Sequence, residues 1–165
     1  MFRGSSRPFG ELTRATGLST FRAVSEIAYI ALGSNLGDRR AYLDRARDAI
    51  AAIPECRVVG ATQVEETEPL GGLAQPPYLN QMLAVETTLD PHALLARLHG
   101  IEADAGRVRG ARWESRTLDL DIVLFDDRVV ESSDLVIPHP GLAERPFWQR
   151  ELAELRDVVG RAADE

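Results

Sequence analysis

The chain has 165 residues, of which 44% are hydrophobic and 27% are charged. These proportions are typical of one globular domain with a buried core, and they exclude a disordered protein. The net charge of −7 argues against a general nucleic-acid-binding protein, whose binding surface would be basic. No apolar run reaches the ~20 residues of a membrane-spanning helix, and the single Cys56 can form no internal disulfide. We therefore expect a cytoplasmic monomer whose partners are neither membranes nor nucleic acids.

Residues 1–25 differ in composition from the rest of the chain. They are rich in Arg, Ser, Thr and Gly, and no hydrophobic periodicity runs through them. They also lack the apolar core of about 7–15 residues that a secretory signal contains. We expect a disordered N-terminal extension, or a start codon placed too early, followed by one domain over residues 26–165. An organelle transit peptide is a weaker alternative, because Glu11 does not suit it.

Hydrophobic periodicity and turn residues divide the remaining chain into four strands and three helices. The first half contains a strand at 27–32, a helix that ends at Pro54, a strand at 58–64, a loop at 65–77 and a strand at 78–89. The second half contains a helix from Asp90 to Gly106, a strand at 116–125, a loop at 135–145 and a helix that turns Trp148, Leu152, Leu155 and Val159 inward. The first six elements follow the split βαβ order of ferredoxin-like folds. We predict an α+β sandwich with helices on one face of an antiparallel sheet and the active site on the other.

The strand at 116–125, RTLDLDIVLF, carries two aspartates in an otherwise apolar segment. Because side chains alternate along a strand, one predicted face holds Leu118, Leu120, Ile122 and Leu124. The other face holds Thr117, Asp119, Asp121, Val123 and Phe125. Two carboxylates ~6.6 Å apart repel each other, so arginines or metal ions are expected between them. A half-exposed sheet that turns both carboxylates into water is the simpler alternative.

Four arginines lie within ten residues immediately before and at the start of this strand, together with Trp113. A solvated loop with weak surface ion pairs would explain the cluster. A bound polyphosphate explains it better, because arginine forks and carboxylate-bound Mg²⁺ together neutralise phosphate charge. The sequence has no Gly-x-x-x-x-Gly-Lys-Ser/Thr loop, so a nucleotide site here would depend on side chains and metal.

A second candidate binding group lies on the third strand. Tyr78 and Asn80 share one face, which places an aromatic ring beside an amide that can both donate and accept hydrogen bonds. This pair suits the edge of a heterocycle, although a structural tyrosine beside a strand-end asparagine would look the same. The loop Thr67-Glu68-Pro69-Leu70-Gly71 precedes them and could close over a ring.

In their order along the chain, these motifs resemble the 6-hydroxymethyl-7,8-dihydropterin pyrophosphokinase family. The resemblance spans about residues 26–155 and rests on YIALGSNLGDR, the Thr67–Gly71 loop, YLNQ, GRVR, RWESRTLDLDIVLF and IPHP followed by Arg145-x-Phe147. RTLDLDI joined to a downstream PHP is its most specific part. The resemblance implies transfer of a pyrophosphoryl group from ATP to the pterin hydroxymethyl oxygen, in folate synthesis.

The resemblance also implies the site residues. Two Mg²⁺ ions are expected on Asp119 and Asp121. ATP is expected to meet Glu102, Arg107, Arg109, Trp113, Arg116, His139 and Arg145. The pterin is expected to meet Thr67, Leu70, Gly71, Tyr78, Asn80 and Phe147. Asp121, Arg107 and Arg116 are the expected catalytic residues.

The sequence departs from the family pattern in several places: the loop between Arg109 and Trp113 is one residue short, and Glu65 stands where an aromatic residue is usual. Glu114-Ser115 replaces the usual Gly-Pro after the tryptophan, and the usual apolar run after Phe147 reads Trp148-Gln149-Arg150-Glu151-Leu152. Two other functions stay open on sequence grounds. One is a catalytically impaired relative that only binds pterin or nucleotide. The other is a glycosyltransferase that uses the Asp-x-Asp pair, although such enzymes need a larger nucleotide-binding domain.

Overall fold

The computed structural model describes residues 24–71, 74–106 and 117–165. Its strands are β1 (Glu26–Ser34), β2 (Cys56–Ala61), β3 (Glu65–Thr67), β4 (Tyr78–Thr87), β5 (Asp119–Phe125), β6 (Val130–Glu131) and β7 (Val136–Ile137). Its α-helices are α1 (Arg39–Ala51), α2 (Pro91–Asp104) and α3 (Pro146–Ala163), and a 3-10 helix spans Pro140–Glu144. None of the helices in these described ranges is long and apolar enough to cross a membrane.

The main sheet is antiparallel, with the strand order β2-β4-β1-β5. Alternate side chains of β1 separate its two faces, so that Ala28, Ile30 and Leu32 pack in one cluster while Tyr29 and Ala31 pack in another. The first cluster includes Leu43, Ala46 and Ile50 of α1 and Leu94, Leu95 and Leu98 of α2. These two helices therefore cover one face of the sheet, which confirms the predicted α+β ferredoxin-like fold.

The third helix lies on the opposite face, a position that periodicity alone did not assign. Trp148, Leu152 and Leu155 are buried there, as their spacing predicted, and α3 packs against β4 and β2. The helix leaves uncovered the edge of the sheet where β1 ends and where β4 and β5 begin. That edge is the open part of the face predicted to carry the site.

An aspartate caps each core helix, and α2 begins at Asp90 as the sequence predicted. The Asp38 carboxylate accepts a hydrogen bond from the Ala41 amide at 3.1 Å, and the Asp90 carboxylate accepts one from the Ala93 amide at 2.9 Å. Pro91 occupies the first turn of α2, where no amide donor is required. Each cap satisfies a donor that would otherwise lack an intrahelical partner.

One predicted loop contains a strand. The segment 65–77 begins with β3, whose residues Glu65, Glu66 and Thr67 pair with Asn80, Leu79 and Tyr78. The strand escaped prediction because β4 has ten residues and takes two partners in succession on one edge. A three-residue strand carries too little alternation of its own to be recognised from sequence.

The assignment of two side chains in β5 to faces of the sheet was wrong. Leu124 packs in the cluster under α3, and Phe125 is fully buried in the cluster under α1 and α2. The cause is a break in register with β1, where Tyr29 opposes Leu124 and Ile30 opposes Ile122. Such a bulge adds one unpaired residue and moves every later side chain to the other face.

Candidate active site

A cavity of about 500 Å³ opens at the uncovered edge of the sheet. Nine of the predicted site residues line it, namely Thr67, Leu70, Tyr78, Asn80, Asp119, Asp121, His139, Arg145 and Phe147. They come from β3, β4, β5 and the segment that leads into α3, which are far apart in sequence. The fold therefore gathers most of the predicted residues of the described chain around one space.

The antiparallel register explains why the two halves of the site meet. Gly33, at the end of β1, is paired with Asn80 of β4 on one side and with Asp119 of β5 on the other. Asp121 lies two residues further along, opposite Ala31, so both aspartates reach the cavity before the bulge changes the alternation. The glycine lines the cavity as well, and a Cβ there would lie 3.5 Å from both Asn80 Oδ1 and Tyr78 Cδ1.

The bulge in β5 also places His139. The carbonyl of Val123, the residue left without a partner on β1, accepts a hydrogen bond from the His139 amide at 2.9 Å. The imidazole Nε2 then lies 3.6 Å from Asp121 Oδ1, and its Nδ1 accepts a hydrogen bond from the Gly141 amide at 2.9 Å. Because Nδ1 is an acceptor, the neutral ring carries its proton on Nε2, which is the nitrogen nearer Asp121.

Arg145 is held by the 3-10 turn and by an aromatic ring. Its Nη1 donates to the Gly141 carbonyl at 3.1 Å, and its guanidinium carbon lies 4.5 Å from the centre of the Trp148 ring. A Cβ on Gly141 would lie 1.8 Å from that Nη1, so a larger residue there would move the guanidinium out of this orientation. Sequence reasoning placed Trp148 in the core and missed that it also lines the cavity.

Asn80 and Thr67 form the polar part of the cavity on the side of β3 and β4. Asn80 is only 8% exposed, and its amide nitrogen donates to Thr67 Oγ1 at 2.5 Å. The pairing of Thr67 with Tyr78 across β3 and β4 makes this contact possible. Tyr78 and Phe147 line the same cavity and supply aromatic surface beside the amide.

Gln75 is a lining residue that sequence reasoning missed. Asn35 Nδ2 donates to Gln75 Oε1 at 3.4 Å and to the Pro76 carbonyl at 3.3 Å. Arg39 Nη1 donates to the Pro77 carbonyl at 2.7 Å. Asn35, just after β1, and Arg39, at the start of α1, thus hold the segment before β4. In the sequence this region is part of the YIALGSNLGDR motif, which does not indicate which residues it contacts.

The remaining predicted residues do not line the cavity or lie outside the described chain. Glu102 is buried on α2, where its Oε2 accepts a hydrogen bond from the Leu120 amide at 3.3 Å. Gly71 adopts a positive φ of 88° next to the lining residue Leu70. Arg107, Arg109, Trp113 and Arg116 fall outside the described residues. Their assigned roles stay predictions.

The donor atoms of the cavity suit a hard cation. Asp119 and Asp121 offer carboxylate oxygens at the same opening, and the single cysteine is buried elsewhere, where Sγ donates to Thr87 Oγ1 at 3.4 Å. Mg²⁺ prefers oxygen ligands, takes one or two carboxylates and keeps several waters. Across the described ranges, no group of three or more His, Cys, Asp or Glu side chains forms a metal cage. The carboxylate pair therefore fits Mg²⁺ shared with a phosphate better than a fully protein-bound metal.

Comparison with known proteins bears directly on this arrangement. Residues 29–157 match the family model of 7,8-dihydro-6-hydroxymethylpterin-pyrophosphokinase (HPPK). A 2-amino-4-hydroxy-6-hydroxymethyldihydropteridine pyrophosphokinase of Bacillus subtilis is 42% identical over 143 residues, which cover 85% of this chain and 84% of the relative. Proteins of the same name from Pseudomonas aeruginosa and Methylorubrum extorquens are 42% and 41% identical, covering 77% and 78% of this chain and 78% and 81% of theirs. With its fold, its cavity and these matches in agreement, the chain belongs to the 7,8-dihydro-6-hydroxymethylpterin-pyrophosphokinase family.

Proposed function

We propose that this protein transfers a pyrophosphoryl group from ATP to the hydroxymethyl oxygen of 6-hydroxymethyl-7,8-dihydropterin, as a step of folate synthesis. The products are AMP and the pterin diphosphate. The observation that carries the proposal is one cavity that joins two chemically distinct sets of residues. Thr67, Tyr78 and Asn80 line it on the side of β3 and β4, and Asp119 and Asp121 line it on the side of β5, with His139 beside Asp121.

The pterin belongs at the end formed by β3, β4 and the start of α3. Tyr78 and Phe147 supply faces on which a flat ring can stack, and Asn80 with Thr67 supplies hydrogen-bonding groups for the ring edge. Leu70 and Gly71 would close over the ring with their backbone groups. A buried amide of this kind discriminates strongly, because a ligand that lacks the matching polar edge leaves it unpaired.

The ATP phosphates belong at the other end. Arg145 and the Nε2 proton of His139 both reach the cavity and can meet phosphate oxygens. Asp119 and Asp121 would hold two Mg²⁺ ions, which when bound neutralise phosphate charge and orient the reacting oxygens. We assign Glu102, Arg107, Arg109, Trp113 and Arg116 to the ATP site as well, with Arg107 and Arg116 as catalytic residues.

The reaction is a single displacement at the β-phosphorus of ATP. The hydroxymethyl oxygen forms a bond to the β-phosphorus, and the bond from that phosphorus to the α–β bridging oxygen breaks. AMP leaves with the electron pair of the broken bond. Asp121 accepts the proton of the attacking hydroxyl, and the cationic side chains stabilise the charge that develops on the bridging oxygen. The protein would act as a monomer in the cytoplasm.

The nucleotide product tests this proposal most directly. The protein is incubated with ATP, Mg²⁺ and 6-hydroxymethyl-7,8-dihydropterin, and the nucleotides are separated by chromatography, with a control that lacks the pterin. AMP should accumulate only when the pterin is present. ADP as the main product would refute the mechanism. If calorimetry showed that both ligands bind while no AMP forms, the protein would be a binding module instead.

A further inference from the structure

Trp148 belongs to two parts of the molecule at once. It is 5% exposed and packs with Leu152 and Leu155 of α3 against the sheet, as a core residue would. It also lines the cavity, next to the side chains assigned to the substrates. The core role explains why the residue is large and apolar. It does not explain which groups the ring contacts on its cavity side.

The cavity side of the indole contacts two side chains of the phosphate end, Arg145 and His139. The Arg145 guanidinium carbon lies 4.5 Å from the ring centre, within the range of a cation–π contact. The His139 ring meets the indole edge-on, with centroids 5.1 Å apart and planes at 89°. Phe147 also meets it, at 6.2 Å. The indole ring thus contacts the Arg145 guanidinium, and its contacts with His139 and Phe147 fix the orientation of its plane.

This arrangement determines how many conformations are open to Arg145. An arginine at a cavity wall has several flexible torsions, and ordering them on ligand binding costs free energy. Here the indole face lies on one side of the guanidinium, and the Gly141 carbonyl accepts from its Nη1 at 3.1 Å. Two independent contacts therefore hold the side chain in one orientation before any anion arrives.

We propose that Trp148 is a positioning residue, whose indole face holds the Arg145 guanidinium ready to bind the polyphosphate of ATP. The proposal rests on the proposed function, because that function makes ATP the anion at this end of the cavity. Trp148 itself donates no group to the phosphates. It acts through Arg145, and its effect belongs to ATP binding more than to the chemical step.

Two substitutions at Trp148 separate the effect of an aromatic face from the effect of side-chain volume. Trp148→Leu removes the face, whereas Trp148→Phe keeps a smaller one. Leu152→Ala is the matched control, since it opens space in the same buried cluster without touching the cavity. We expect Trp148→Leu to raise the KM for ATP about 3- to 10-fold with little change in kcat, and Trp148→Phe to have a smaller effect. Leu152→Ala should lower the melting temperature and leave the KM for ATP unchanged.

A double-mutant cycle then asks whether the effect passes through Arg145. In an Arg145→Ala background, Trp148→Leu should add less than about twofold to the KM for ATP, because the cation that it positions is gone. If the two effects multiplied in full, or if Leu152→Ala raised the KM as much as Trp148→Leu, the positioning role would be refuted.

A readout without ATP keeps this proposal distinguishable from the proposed function. An aromatic face shifts the NMR signal of a guanidinium above it upfield, so the Arg145 Nε–H signal, assigned by its loss in Arg145→Lys, should be shifted in the free protein. Trp148→Leu should return it to the position of exposed arginines, and Leu152→Ala should not. An unshifted signal in the wild type would overturn the proposal even if turnover were normal. A shifted signal in a protein that makes no AMP would support it and refute the proposed function instead.

Discussion

Glu151 is an acidic residue buried under α3, and its replacement by glutamine tests the energetics of this interface. It is 3% exposed, and its Oε1 accepts a hydrogen bond from Thr62 Oγ1 at 3.3 Å. Its Oε2 has no hydrogen-bond partner within the described part of the chain. Burial is the main cause that raises its pKa, and nearby Glu65 adds to the effect, bringing the pKa from 4.5 to about 7.

The neighbouring charges do not reverse this effect. Glu154 also raises the pKa of Glu151, while Arg150 lowers it. Arg150, however, is paired with Glu65, with nitrogen–oxygen distances of 2.6 and 2.8 Å. The cation is thus shared with another acid, and Glu151 stays protonated to higher pH than an exposed glutamate would.

The sign of the pH dependence follows from proton binding. Between pH 4.5 and about 7 the folded protein binds a proton at Glu151 that the unfolded chain has already lost. The free energy of unfolding therefore falls as pH rises through this window, and it becomes constant above it. Since each pKa unit corresponds to about 1.4 kcal/mol, the loss is at most about 3 kcal/mol.

Glu151→Gln keeps the shape of the protonated acid and cannot ionise. We expect it to match the wild type near pH 4.5 and to exceed it above pH 7, by about 1–3 kcal/mol in the free energy of unfolding. Asp157→Asn, at an exposed position of the same helix, should show no such difference. Urea unfolding at several pH values between 4.5 and 8 measures all three proteins. A wild-type stability that did not fall across this window relative to Glu151→Gln would refute the reasoning.

Three further predictions concern the cavity. Asn80→Ala should weaken pterin binding by about 1–3 kcal/mol, because the polar edge of the pterin ring loses its hydrogen-bond partner, and calorimetry should find ATP binding nearly unchanged. If calorimetry found equal losses for both ligands, the assignment of Asn80 to the pterin site would be wrong. Asp119→Ala or Asp121→Ala should reduce the rate of AMP formation about a hundredfold or more while the protein stays folded, and full activity in either variant would contradict the assigned metal role. Gly141→Ala should displace Arg145, since its new Cβ would lie 1.8 Å from Nη1, and the KM for ATP should rise about tenfold. An unchanged KM would show that ATP binding does not depend on the orientation in which the Gly141 turn holds Arg145.

Much of the fold was predictable because its determinants are local. Strand alternation separated the aspartates from Leu118, Leu120 and Ile122, and Asp90 with Pro91 marked where α2 begins. The order of elements indicated the ferredoxin-like arrangement. The motifs that resemble the family pattern named nine of the residues that line the cavity.

The tertiary structure decided the features that depend on pairing between distant segments. The bulge in β5 arises from its register with β1, so no pattern within β5 alone could show that Leu124 and Phe125 exchange faces or that the Val123 carbonyl would hold His139. The strand β3 exists only because β4 extends beyond β2. The double role of Trp148 has the same origin. Periodicity correctly made it a core residue, and its contact with Arg145 is local, because Arg145 lies three residues earlier at the N-cap of α3. Only the packing of this turn and of α3 on the sheet places both side chains at the cavity.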